Sequence, residues 1–275
     1  DKKVDIALLE TGLGGQYDST TACHSNMYVF TEISKDHHHF LGNEIYDIAK
    51  NKARAITHKA PCISSSQDKV VKLELDEQAS QYDISINYID NKTLKHYDIS
   101  LYGDHQNRNA NLAVRVVEDL SNNFNISSEN IVLGLKNTYW PGRFHKLNLN
   151  PMVLFDVCHN ETSIITFLES VEKLYIKGNK YLIISIQETK DIHNCVNKMH
   201  NIFNTICCTK LENERMMDST KLSTIFKNNN QIIVIDTPQT AIEGILSRAS
   251  SDDLVAIIGT HLWGPVLSQK FNYLF

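Results

Sequence analysis

The residues best suited to chemistry in this chain lie close to its start. Glu10 is followed by Thr11-Gly12-Leu13-Gly14-Gly15, so a carboxylate stands beside permissive glycines. Such a carboxylate, if it ends a strand, can hold a divalent cation near a phosphate. A glycine-rich turn after a strand serves equally well as plain structure. Further on, Asp36-His37-His38-His39 is followed by Phe40-Leu41-Gly42. Adjacent side chains rarely converge on one ion, so at most one of these histidines is expected to ligate. The simpler reading is a solvated loop. Lys52 sits in Ile48-Ala49-Lys50-Asn51-Lys52-Ala53, where helical spacing makes a solvated charge the ordinary outcome.

The elements that must position these groups follow from periodicity. Residues 4–9 (Val-Asp-Ile-Ala-Leu-Leu) are almost uniformly apolar, as in a strand covered on both faces. That places Glu10 at the carboxyl end of a strand, where open α/β sheets bind ligands. A second strand is predicted over 27–33. A helix is predicted over 43–56, from Ile45, Ile48, Ala49, Lys52, Ala55 and Ile56 at mixed spacings of three and four. Residues 62–102 read as a strand-rich excursion, with period-two alternation at 84–88. A helix over 106–120 carries Ala110, Ala113, Val114 and Val117 on one side.

Trp140-Pro141-Gly142-Arg143 punctuates the chain and marks the best boundary, giving domains of 1–139 and 140–275. Beyond it, strands and helices alternate at 153–156, 163–173, 181–186, 193–204, 232–235, 240–247 and 254–258. That order predicts an α/β domain with a largely parallel sheet. Asn228–Asn230 reads as a loop.

Composition narrows the function classes. The 275 residues include 27 Lys and Arg against 32 Asp and Glu, a net charge of −5, which gives no footprint for nucleic acid. The longest apolar runs, at 181–186 and 254–258, are strand-sized and too short to span a membrane. The six cysteines include no CxxC pair, suggesting neither a zinc site nor a disulfide framework. With no signal peptide in view, a cytoplasmic monomer is expected. Residue 1 is Asp rather than Met, so the true N-terminus need not be in view.

Taken together, the blocks resemble the folylpolyglutamate synthase/dihydrofolate synthase family of the Mur ligase superfamily. VDIALLETGLGGQYD is similar to the family's D-x-A-x-x-E-x-G-L-G-G-R-x-D, DHHHFLG to D-H-x-x-x-L-G, and IAKNKA to I-A-x-E-K-A-G-I. His105-Gln106-Asn107-Arg108-Asn109-Ala110 resembles H-Q-x-x-N-A, and Trp140–Arg143 matches W-P-G-R. Phe155-Asp156-Val157-Cys158-His159-Asn160 resembles D-G-A-H-N, and Gly259-Thr260-His261-Leu262 resembles the closing G-S-x-x-L. The blocks occur in family order over nearly the whole chain.

The resemblance implies an incomplete Mur-ligase-type ATPase domain followed by a Rossmann-like α/β domain. It implies that ATP and Mg²⁺ serve a ligase joining L-glutamate to folate or dihydropteroate through an acyl phosphate. Glu10 and His37 would sit on Mg²⁺, and Lys52 would be the lysine that the family carbamylates. Asn109 would face adenine, Arg143 the phosphates and Asp156 the ribose hydroxyls. His159 and Asn160 would lie near the cleft between domains. Catalysis would rest on Lys52, His37 and Arg143. The alternatives are another Mur-superfamily amide ligase or an inactive fragment.

The match has gaps. The family's G-T-N-G-K-G-S-type phosphate loop is not found in these residues, so the chain as given is expected to hydrolyse ATP poorly. Gln16 stands where the family pattern has Arg, Asn51 where it has Glu, and Arg54 and Val157 where it has Gly.

Overall fold

A computed structural model describes residues 3–36, 38–121, 123–226 and 231–273. The fold is mixed α/β with parallel-dominated sheets, in two compact units: residues 1–98 with 106–136, and residues 99–105 with 137–275. The expected loop at 228–230 falls outside the described residues.

In the first unit, β1 (Tyr28–Phe30), β2 (Cys62–Ser64) and β3 (Asn87–Tyr88) form a small sheet in that order, all parallel. Parallel neighbours need crossover segments. These are supplied by α1 (His38–Leu41) with α2 (Ile45–Ala53), and by α3 (Lys69–Ser80). Glu44 and Asp47 form a capping box that fixes the start of α2. Ile48, Ala49 and Ala53 of α2 then pack against Val71 and Leu75 of α3, with Ile33 alongside. The unit also contributes most of α4 (Asp104–Leu120) and α5 (Ser128–Lys136).

Three expectations need correction here. Residues 4–9 form no strand: no described residue pairs with them, and Val4, Ile6, Leu8 and Leu9 are exposed. Apolar sequence alone does not make a strand, because the ladder needs a partner. Residues 62–102 are not strand-rich, since the twelve-residue α3 occupies the middle. Its Val71, Leu75 and Ala79 recur every fourth residue on one buried face, and that burial outweighs the strand propensity of adjacent valines. On α4 the buried apolar residues are Ala110, Leu112 and Val114, while Ala113 is exposed.

The second unit is built on a six-stranded sheet. A hairpin pairs β4 (His145–Leu149) with β5 (Met152–Asp156) antiparallel. Then follow α6 (Glu161–Glu172), β6 (Lys180–Ile184), α7 (Val196–Ile202) and β7 (Thr205–Cys208). The unit closes with α8 (Ser219–Ile225), β8 (Ile232–Val234), α9 (Pro238–Leu246), β9 (Leu254–Ile258) and α10 (Gly264–Phe271). The strand order is β4-β5-β9-β6-β7-β8, parallel from β5 onward. The periodicity of the sequence does not pick out β4, β7, α8 or α10.

Both faces of this sheet are covered. Leu254, Ala256 and Ile258 point toward α6, α7 and α8, while Val255 and Ile257 point toward α9 and α10. Two-sided burial is why β5, β6 and β9 read as unbroken apolar runs. Among the described residues, no helix is long and apolar enough to cross a membrane.

Candidate functional site

The glycine turn of the first unit is organised by a residue that sequence reading gave no role. One carboxylate oxygen of Asp18 accepts the backbone N–H groups of Gly12 and Leu13, each at 2.9 Å. The other accepts the N–H of Thr20 at 2.9 Å and its hydroxyl at 2.7 Å. The N–H of Leu13, the Thr20 hydroxyl and the Thr20 N–H hold the Asp18 pKa down to about 2. Asp18 is the last residue of the VDIALLETGLGGQYD block. The only signal in the sequence was an aspartate just past a glycine run.

So organised, the turn docks on the last turn of α2. Gly14 has φ +68°, and a Cβ there would stand 2.3 Å from Asn51 Oδ1. A Cβ on Gly15 would stand 2.7 Å from the Lys52 carbonyl oxygen, so both glycines are needed for close approach. The N–H of Gln16 donates to the Asn51 carbonyl at 3.1 Å. The segment that follows Glu10 therefore packs directly on the backbone of Lys52.

Lys52 is half-buried, and desolvation lowers its pKa, opposed by the charge of Asp36. A lysine held this way has more neutral, nucleophilic amine at neutral pH than a solvated one. Glu10 is exposed at the head of the turn. His37 lies outside the described residues. Among the described residues no group of three or more His, Cys, Asp or Glu side chains could hold a metal ion. Magnesium nevertheless fits this donor set, since it keeps several waters and binds through one or two carboxylates plus substrate phosphates. Glu10 is accessible for that role.

The H-Q block starts α4. Asn109 is exposed there, and its side-chain amide donates to Gln106 Oε1 at 3.2 Å. Two neighbours have clearer structural work. Asn107 accepts the Tyr97 N–H at 3.0 Å and donates to the Lys95 carbonyl at 2.9 Å. Asn111 accepts the Lys95 N–H at 2.9 Å. Together they pin the preceding loop to the helix.

In the second unit, Asp156 ends β5 and is buried. Its carboxylate accepts the N–H of Phe144 and the N–H of Cys158, each at 2.8 Å. Burial pushes its pKa up, and these bonds and the Arg143 charge oppose that shift. Gly142 has φ +76°, and a Cβ would meet Val157 Cγ1 at 2.7 Å. The Val157 N–H donates to the Gly142 carbonyl at 2.9 Å. The turn at 140–143 is thus fastened to the carboxyl end of β5, with Arg143 exposed.

Asn160 caps α6: its Oδ1 accepts the Ser163 N–H at 2.9 Å. His159 Nδ1 lies 3.1 Å from the Val157 carbonyl. A carbonyl can only accept, so Nδ1 carries the proton in that contact. Arg143, Asp156, His159 and Asn160 therefore cluster at the carboxyl end of β5. Glu10, Lys52 and Asn109 belong to the first unit.

Residues 142–261 match the family model described as Mur ligase, glutamate ligase domain. The dihydrofolate synthase/folylpolyglutamate synthase of Bacillus subtilis (strain 168) is 27% identical over 94% of this chain and 65% of its own length. The chain thus spans a little under two thirds of that relative. Among solved structures, the fold is similar to Mycobacterium tuberculosis folylpolyglutamate synthase complexed with ADP and AMPPCP, with a TM-score of 0.87, 22% identity, and coverage of 98% of this chain and 69% of that one. It is also similar to E. coli FolC in complex with DHPP and ADP, with a TM-score of 0.83, 20% identity, and coverage of 94% and 65%.

Proposed function

We propose that this chain, which is similar to the dihydrofolate synthase/folylpolyglutamate synthases and to the Mur ligase glutamate ligase domain, is part of an ATP-dependent ligase that joins L-glutamate to a folate-type carboxylic acid. One observation carries the reading. The glycine turn after Glu10 packs on the backbone of a half-buried Lys52 whose ammonium form is disfavoured.

The chemistry needs such a site. A carboxylate is a poor acceptor because oxide cannot leave. Transfer of the ATP γ-phosphoryl group to that carboxylate releases ADP and makes an acyl phosphate. The glutamate amine then attacks the carbonyl, loses a proton and expels phosphate, leaving the amide. Mg²⁺, when bound, supplies charge stabilisation for the phosphoryl oxygens.

The chain's own residues have separate tasks in this reading. Glu10 and His37 hold the cation. Lys52, as a carbamate, presents a carboxylate-like group from a helix end that the glycine turn fixes in place. Arg143 meets phosphate from a turn anchored by Asp156. The resemblance assigns Asn109 to the adenine, Asp156 to the ribose hydroxyls, and His159 and Asn160 to nucleotide binding.

The test is glutamate incorporation by the complete product of the gene that encodes these residues. With Mg-ATP, radiolabelled glutamate should appear in an amide with dihydropteroate or tetrahydrofolate, with one phosphate released per bond. ATP turnover that tracks neither acid would sink the reading, as would no incorporation at all.

A further inference from the structure

Two of the positions where this chain departs from the family pattern touch one another. Gln16 stands where the pattern has arginine, and Arg54 where it has glycine. Arg54 Nη1 donates to Gln16 Oε1 at 2.6 Å. A glutamine side chain ends at the place where an arginine in the same rotamer would have its Nε. A guanidinium nitrogen one hydrogen bond beyond that oxygen lies close to where the terminal nitrogens of an arginine at 16 would reach. The charge keeps its location while its covalent attachment moves from the glycine turn to the end of α2.

That change has a mechanical consequence. Arg54 is the C-cap of α2, with helical φ and ψ, and its N–H bonds the Lys50 carbonyl at 3.3 Å. Its guanidinium is therefore carried by the same helix end as Lys52. Gln16 is held from the other side by its N–H bond to Asn51. The side-chain bond and the backbone bond together clamp the turn against the last helical turn at two points. An arginine at 16 with glycine at 54 leaves only the backbone bond.

We infer that Arg54 is a positioning residue that works as a pair with Gln16, returning a guanidinium to the glycine turn and holding that turn against the helix end that carries Lys52. The effect on activity rests on the ligase reading above; the pairing itself does not. Gln16→Arg alone puts two guanidinium groups face to face, and Arg54→Ala alone removes the cation.

The experiment is a mutant cycle in the complete gene product: wild type, Gln16→Arg, Arg54→Ala and the double variant, with Arg54→Lys as the conservative replacement. Each single substitution should lower the unfolding midpoint by roughly 2–4 °C, and the double variant, with only the backbone bond left, should fall no further than Arg54→Ala. For glutamate incorporation, kcat/KM should fall about tenfold in each single variant and recover to within about threefold in the double variant. Arg54→Lys should keep most of the activity. The Arg54→Ala deficit should narrow as salt is raised, which loss of packing alone does not predict. Additive losses in the double variant would overturn the pairing. A wild-type protein that joins no glutamate removes the ligase reading, while the melting cycle still decides whether Gln16 and Arg54 are coupled.

Discussion

The carboxylate of Asp156 accepts the backbone N–H of Phe144 at 2.8 Å, so the residue that ends β5 also anchors the turn that presents Arg143. Its second bond, to the Cys158 N–H, starts the loop leading into α6. One buried side chain thus fixes both approaches to the Asp156–Asn160 segment. Removing it leaves two buried donors without an acceptor. Asp156→Ala should cost about 2–4 kcal/mol in stability, a figure that urea denaturation can check. Asp156→Asn keeps one acceptor and should fall between.

The pH dependence of that site has a definite sign. Burial raises the Asp156 pKa in the folded state, so the unfolded chain gives up this proton more readily. Its contribution to stability is full below the unfolded value and is lost as pH rises through the raised folded value. Asp18 behaves oppositely. Its pKa, lowered to about 2, contributes stability above the unfolded value of 3.8 that is lost as pH falls toward 2. Between pH 5 and pH 3, wild type should therefore lose more stability than Asp18→Asn. Equal slopes for the two proteins would contradict the role assigned to the turn.

Lys52 offers a spectroscopic test. With its ammonium form disfavoured by burial, the free amine is available to carbon dioxide. Protein equilibrated with ¹³C-bicarbonate should show a carbamate carbonyl signal that grows with pH and is absent from Lys52→Arg. The same substitution should reduce glutamate incorporation by roughly 100-fold or more, with little change in melting temperature. A signal that survives in Lys52→Arg would place the modification elsewhere.

Gly142 tests the anchoring of the Arg143 turn through the backbone. Its positive φ and the 2.7 Å approach of Val157 Cγ1 make Gly142→Ala both conformationally strained and crowded. The expected cost is about 1–3 kcal/mol. Combining it with Val157→Gly should relieve the crowding and leave the strain, recovering part of the loss. Full recovery would mean that φ at this position matters little. Thermal melts of the three proteins separate these contributions.

Much of the second unit was legible because its strands are buried on both faces. The runs at 153–156, 181–186 and 254–258 became β5, β6 and β9, with helices between them where the spacing indicated. The strand Thr205–Cys208 was harder to find, because only Phe203 and Asn204 separate its four residues from α7. Helix α8 is short and polar at most positions, leaving little periodicity to read. In the first unit the same logic failed at 4–9, where apolar residues are exposed, and at α3, where tertiary burial selected the helix.

The candidate groups were legible by type and order: a carboxylate before glycines, a lysine on a helix, an arginine in W-P-G-R and the D-x-x-H-N run. Order along the chain is local information, and the residue blocks preserve it. What the sequence could not supply was which side chains are already committed to holding backbone in place. Asp18, Asn107 and Asn111 bind loop N–H groups, Asn160 is engaged as a helix cap, and Asp156 anchors two donors from its buried position. Nor could it show that Gln16 and Arg54, separate departures in the text, form one contact. Such commitments depend on distances between residues far apart in the chain, and only packing sets those distances.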